Sequence, residues 1–107
     1  MDNKVLAIIG AGDLGKQIAH LALSDNHYSQ VVFFDDYINL NQVEGNIVIG
    51  KIRNVLESFE NNKFDELIIA IGYNHFKFRA ELYHFFNGQK IPFGRIIHTT
   101  SWIDSKA

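Results

Sequence analysis

The stretch Val5-Leu-Ala-Ile-Ile-Gly-Ala-Gly-Asp-Leu-Gly-Lys16 decides the fold. A continuous apolar run of strand length, Val5 to Ile9, leads directly into a G-x-G-x-x-G turn, and apolar residues then recur at helical spacing. A strand, a glycine-rich turn and a helix in this order begin a βαβ unit. Two roles fit the turn: it binds the phosphates of a nucleotide, or it only lets the helix pack close to the strand.

The rest of the chain repeats this alternation. Further apolar runs of strand length occur at Val31 to Phe34, Ile47 to Ile49, Leu67 to Ile71 and Phe93 to Ile97. Helical stripes lie between them, at Leu14, Ile18, Leu21 and Ala22, at Ile52, Val55, Leu56 and Phe59, and at Phe78, Leu82, Phe85 and Phe86. We therefore predict an α/β fold, a small Rossmann-like parallel sheet of about five strands in the order 3-2-1-4-5 with helices on both faces.

Two segments that connect the predicted helices and strands have distinctive sequences. The segment from Asp36 to Asn46 is polar and rich in Asn without a helical period, which predicts a long loop. The third helical stripe runs into Asn87-Gly88, where glycine is expected to take the left-handed conformation that ends a helix.

Composition limits the class of protein. The chain has 107 residues, 47% of them hydrophobic and 21% charged, which predicts one globular domain over residues 1–107. The formal net charge is -2 and no basic run is present, so we do not expect nucleic acid as a partner. Cysteine is absent, and the five histidines show no metal-ligand spacing, so no metal site is expected. No signal-peptide pattern or membrane-length apolar run is present, which predicts a cytoplasmic protein.

Charged candidates for a ligand site follow the first two strands. Asp13 in the first turn of the helix stabilises the helix dipole but repels a pyrophosphate if it points inward. Lys16, one turn further, offsets that repulsion or is a solvated surface lysine. Asp35 and Asp36 end the second strand, where acids either accept hydrogen bonds from a ribose or satisfy the N–H groups of a turn.

The fourth strand supplies the remaining candidates, at Gly72, Tyr73 and Asn74. Gly72 permits close approach of a ligand, and Tyr73 stacks on a ring or covers the loop. Asn74 binds a ligand or caps the helix that follows. His98 follows the last strand at the same edge of the sheet, as a ligand contact or a structural histidine. No catalytic residue is predicted.

Five motifs in one order give the sequence a family resemblance. They are IIGAGDLGK (Ile8 to Lys16), FFDD (Phe33 to Asp36), GNIVIG (Gly45 to Gly50), AIGYN (Ala70 to Asn74) and IIH (Ile96 to His98). Together they resemble the amino-terminal nucleotide-sugar-binding domain of bacterial sugar O- and N-acyltransferases, the group with sialic acid O-acetyltransferases and UDP-amino-sugar N-acetyltransferases. The sequence departs from that pattern at Asp13, where the family usually has Gly, and at Thr99-Thr100-Ser101, where it usually has Pro-Ser-Ala.

The resemblance implies binding of a UDP-sugar or related nucleotide. Gly10, Gly12 and Lys16 would then lie near the phosphates, Asp35 and Asp36 near the uridine, and Gly72 and Asn74 along the pocket. In that family a left-handed β-helix domain binds acetyl-CoA and supplies the catalytic His, and its hexapeptide repeats are absent from this sequence. We therefore expect substrate binding without catalysis by this chain alone, and a monomer or weak dimer.

Two other classes of function stay open on the sequence. The chain is alternatively the cofactor domain of a small NAD-dependent oxidoreductase, because the glycine turn and Asp35 fit that class. It is alternatively a non-catalytic interaction module, which Asp13 favours and the intact strand-turn-helix unit disfavours.

Overall fold

The computed structural model describes residues 4–24, 28–71 and 76–94. Its strands are β1 (Val5–Ile9), β2 (Gln30–Phe34), β3 (Gln42–Val43), β4 (Asn46–Gly50) and β5 (Glu66–Ile69). Its helices are α1 (Asp13–Ser24), α2 (Val55–Glu60), which a 3-10 turn over Ile52–Asn54 precedes, and α3 (Phe76–Gly88).

The strands form one sheet in the order β3-β4-β2-β1-β5. The pairings β4-β2, β2-β1 and β1-β5 are parallel, and the short edge strand β3 pairs antiparallel with β4. Beyond β5, Phe93 forms a parallel bridge with Leu67. The four predicted strands that are described in full therefore have the order 3-2-1-4, and Phe93 places the start of the fifth strand beside the fourth, as predicted. Residues 95–97 of that strand lie outside the described residues.

Both faces of the sheet are covered by helices, as the sequence predicts. Alternate residues of β1 point to opposite faces, so Leu6 and Ile8 pack with α1 while Ala7 and Ile9 pack on the side of α2 and α3. All four residues are fully buried. Each large aliphatic side chain buried in this way contributes about 1.5–3 kcal/mol relative to exposure. The continuous apolar run of β1 is thus explained by packing on both of its faces.

The predicted loop between Asp36 and Asn46 contains one strand that the sequence analysis missed. Gln42 and Val43 pair with Ile47 and Asn46 of β4 in a tight hairpin. The two turn residues, Glu44 and Gly45, have φ angles of 50° and 83°. A two-residue hairpin turn of this kind needs positive φ at both positions. Glu-Gly is a weaker sequence signal for such a turn than Asn-Gly.

The third helical stripe is only half correct. Leu82 and Phe86 pack into the core beneath α3. Phe78 and Phe85, however, are 43% and 51% exposed, so they flank the buried face rather than belong to it. Their seven-residue spacing places both on one side of the helix, and the helix turns that side away from the sheet.

The end of α3 also differs from the prediction. Gly88 is the last helical residue, and the left-handed residue is Lys90, with a φ angle of 64°. The Lys90 N–H donates to the carbonyl of Asn87, and the Ile91 N–H donates to the carbonyl of Phe86. This pair of bonds is a Schellman motif, and the buried Ile91 and Phe86 supply its apolar contact. The helix thus ends at Gly88 as predicted, but the apolar position of Ile91 makes Lys90, and not the glycine, the left-handed residue.

We predict that Lys90→Gly raises the free energy of unfolding by about 0.5–1 kcal/mol, because glycine adopts positive φ without the steric cost that lysine bears. Urea denaturation monitored by circular dichroism measures the change.

Gly88→Ala is the matched variant. Within the described part of the chain no heavy atom lies within 4 Å of a Cβ added at Gly88, so alanine is expected to stabilise the helix by up to about 1 kcal/mol. If Gly88→Ala destabilises the protein and Lys90→Gly does nothing, the left-handed capping residue is Gly88 and not Lys90.

Candidate functional site

The parallel strands bring the predicted site residues to one edge of the sheet. Ile9 at the end of β1 is in register with Phe34 of β2 on one side and with Ile69 of β5 on the other. The glycine-rich turn, the two acids after β2 and the segment after β5 therefore leave the sheet together at its carboxyl edge.

Gly10 makes the sharp exit from β1. Its φ angle is 104°, and its N–H donates to the Phe34 carbonyl at 2.8 Å. A Cβ at this position would lie 2.6 Å from the backbone oxygen of Ala70. Glycine is required here both by conformation and by the close approach of the neighbouring chain.

Gly15 brings α1 close to the turn. A Cβ at this position would collide with the carbonyl of Gly10 and would touch the ring of Phe33. Gly12 differs from both, because it is exposed and no described residue lies within 4 Å of a Cβ placed there. The first and third glycines are thus explained by packing, whereas the space around Gly12 is open.

The start of α1 presents backbone donors to that open space. The Lys16 N–H donates to the Gly12 carbonyl at 2.9 Å, and the N–H groups of the preceding turn have no such partner within the helix. Asp13 is exposed and Lys16 half-buried, and within the described part of the chain neither side chain forms an ion pair. Both charges are therefore available to a ligand at this helix terminus.

Asp35 holds the glycine-rich turn and the following loop together. Its Oδ2 accepts a hydrogen bond from the Ala11 N–H at 2.8 Å. Its Oδ1 accepts from the N–H groups of Tyr37 at 2.8 Å and Ile38 at 3.1 Å. Of the two roles that the sequence left open, turn chemistry is the one these contacts describe. The contact with Ala11 has no local sequence signal, because it joins residues 24 positions apart.

Asp36 is bound on one side only. Its Oδ1 accepts from the Ile52 N–H at 2.9 Å, which links the end of β2 to the turn before α2. The residue is exposed, and no hydrogen bond to its other oxygen is recorded among the described residues. Asp36 therefore retains an acceptor that faces solvent at the carboxyl edge.

The other predicted site residues cannot be placed. Gly72, Tyr73 and Asn74 lie outside the described residues, as does His98. The chain leads toward the first three from Ala70, whose N–H donates to the Ile9 carbonyl at 2.8 Å beside the glycine turn.

Other kinds of site find no support in the described ranges. No group of three His, Asp or Glu residues in residues 4–24, 28–71 and 76–94 is arranged to hold a metal ion. No helix there is long and apolar enough to cross a membrane.

The strand order, the turn and the acids after β2 define a small Rossmann-like α/β domain. The chain matches the family model described as the PglD N-terminal domain over residues 5–84, and it belongs to that family. This family confirms the resemblance to the amino-terminal domain of sugar acyltransferases.

Solved structures agree with this assignment. The acetyltransferase domain of PglB from Neisseria gonorrhoeae FA1090, in complex with acetyl coenzyme A, is 33% identical with a TM-score of 0.70, and the match covers 92% of this chain and 45% of that one. A second structure of that domain is 33% identical with a TM-score of 0.68, covering 85% of this chain and 42% of that one. The chain thus spans less than half the length of these acetyltransferase domains.

A more distant match shows the fold alone. The Rex-family repressor RSP is 23% identical with a TM-score of 0.59, and the match covers 78% of this chain and 41% of that one. No curated protein matches the chain significantly.

We predict that Gly15→Ala lowers the free energy of unfolding by about 1–3 kcal/mol, because the new methyl group forces α1 away from the Gly10 carbonyl. Gly12→Ala is the control, and its cost should stay below about 1 kcal/mol because its surroundings are open. Equal effects of the two substitutions in chemical denaturation would contradict this packing.

Asp35→Ala should destabilise the fold by about 2–3 kcal/mol, because three backbone N–H groups lose a charged acceptor. Asp36→Ala removes one such bond and should cost about 1 kcal/mol. Urea denaturation of both variants measures the difference, and a smaller loss for Asp35→Ala than for Asp36→Ala would refute the assignment.

Proposed function

We propose that this domain binds a nucleotide-linked sugar of the UDP-sugar type, as the substrate-binding part of a sugar acyltransferase. The observation that carries the proposal is the open space around Gly12 at the start of α1, at the same edge of the sheet as Asp36. Family membership with acetyltransferase relatives supports the class of substrate.

The diphosphate is assigned to the glycine-rich turn. N–H groups of the first helical turn and the positive end of the helix dipole favour an anion there. Gly12 leaves room for phosphate oxygens to approach the backbone, and Lys16 supplies a positive charge one turn further along α1. Gly10 shapes the turn but its surroundings are filled by Ala70.

The ribose hydroxyls are assigned to Asp36 rather than equally to both acids. Asp35 is already occupied by three backbone N–H groups, so its part in binding is to hold the site in shape. Asp36 has an oxygen left for a hydroxyl or a base N–H. Gly72, Tyr73 and Asn74, which lie outside the described residues, remain proposed as ligand contacts.

Catalysis is not assigned to this chain. An acyl transfer needs an acyl donor and a base beside the acceptor amine or hydroxyl, and we assign the donor, acetyl-CoA, to a further domain of the complete enzyme. The role of the present domain is then to hold the sugar nucleotide while that domain acts on the sugar.

Thermal unfolding in the presence of four ligands tests the function. A ligand that binds only the folded state raises the midpoint by mass action. We expect UDP and UDP-N-acetylglucosamine to raise it by several degrees, and NAD and acetyl-CoA to leave it unchanged.

The other outcomes each favour a different class of protein. A shift with NAD alone would favour the oxidoreductase cofactor domain. No shift with any of the four ligands, for a chain that unfolds cooperatively, would favour the interaction module.

Asp13→Asn should tighten UDP binding by roughly two- to tenfold, because it removes a negative charge at the helix end where we place the diphosphate. Isothermal titration calorimetry at low salt measures the change.

Glu60→Gln removes the same charge from the exposed end of α2, where the chain turns back toward the amino end of β5. It should leave the affinity within about twofold, since the effect of a distant exposed charge is screened. Equal tightening by the two variants would indicate net charge rather than a local site, and weaker binding by Asp13→Asn would place the diphosphate elsewhere.

A further inference from the structure

Tyr37 stands out by its exposure. It is 91% exposed, more than any other large hydrophobic residue in the described part of the chain, and Leu40 follows at 62%. A ring of this size gains free energy when a second flat surface covers it. Its position directly after Asp36 puts that ring at the carboxyl edge of the sheet.

The backbone that carries the ring is held in place. The N–H groups of Tyr37 and Ile38 both donate to Asp35 Oδ1, and the Ile38 side chain packs against the core on the side of α1. The exposed ring therefore projects from an anchored segment rather than from a free loop. Less backbone order has to be gained when a ligand binds to such a segment.

One carboxylate connects the ring to the phosphate end of the site. Asp35 Oδ2 binds the N–H of Ala11 in the glycine-rich turn, while Oδ1 binds the N–H of Tyr37. Asp36, with its free oxygen, lies between the two in the chain. The glycine-rich turn and the Tyr37 backbone are thus both held against one carboxylate, and the segment after β2 supplies Asp36 as a hydroxyl acceptor and Tyr37 as an aromatic ring.

We propose that the Tyr37 ring stacks on the base of the bound nucleotide, an inference that rests on the proposed function. Stacking uses the π-face that every base presents, so it adds affinity with little preference among bases. Tyr37 then makes the site select a nucleotide over a simple diphosphate. The phenolic hydroxyl is not required for this contact.

The test compares two ligands on three variants by isothermal titration calorimetry. Tyr37→Ala should weaken UDP binding by roughly 5- to 150-fold, the range that loss of one base-aromatic stack gives. Tyr37→Phe keeps the ring and should bind UDP within about twofold of the parent chain. Inorganic pyrophosphate, which has no base, should bind all of them alike.

Leu40→Ala is the matched control, because Leu40 is exposed in the same loop and is not assigned to the site. It should leave the UDP affinity unchanged. Circular dichroism and the unfolding midpoint establish that each variant is folded, and the nearly complete exposure of Tyr37 predicts no loss of stability.

The outcomes separate the two proposals. If the parent chain binds UDP and Tyr37→Ala binds it equally well, the stacking role is wrong while the proposed function stands. If Tyr37→Ala weakens pyrophosphate as much as UDP, the residue shapes the loop instead of contacting the base, which also overturns the stacking role. If the folded parent chain binds no UDP, both proposals fail.

Discussion

The carboxylate of Asp35 is the contact on which the carboxyl edge of the sheet depends. It accepts from the glycine-rich turn through one oxygen and from the loop after β2 through the other. Ala11 and Asp35 are 24 residues apart in the chain. Because backbone N–H groups at such an edge must find acceptors, one charged side chain fixes the shape of two loops at once. The open space beside Gly12 depends on the shape so fixed.

The glycines complete this arrangement because they have no side chain. Gly10 and Gly15 allow β1, α1 and the Ala70 backbone to approach closely, which turns the start of α1 toward the edge where the acids lie. The residues at this edge therefore fall into two groups. Packing and hydrogen bonds occupy Gly10, Gly15 and Asp35, whereas Gly12, Lys16 and Asp36 remain available to a ligand. Under the proposed function, the second group of residues would hold the substrate while another domain acts on it.

Much of the fold follows from the sequence because its pattern is strong. Continuous apolar runs and helical stripes predict the parallel strand order and the two covered faces, both of which the structure has. The failures occur where tertiary contacts override local signals. Burial of Ile91 moves the left-handed capping residue from Gly88 to Lys90, and pairing with β4 makes a strand of Gln42–Val43. At the site, the sequence predicts the positions of Asp35 and Asp36 but not their different hydrogen-bond partners. Asp35 binds the Ala11 N–H and Asp36 binds the Ile52 N–H, and both bonds join residues far apart in the chain.

A titration of the isotope-labelled chain with UDP, followed by amide shifts in two-dimensional NMR, shows whether the start of α1 and the segment after β2 form one binding site. We expect the largest shifts on Gly12, Asp13 and Leu14 at the start of α1, and on Asp36 and Tyr37 after β2. Shifts confined to the exposed side of α3 around Phe78 and Phe85 would contradict it. So would a spectrum of the folded chain that does not change at millimolar UDP.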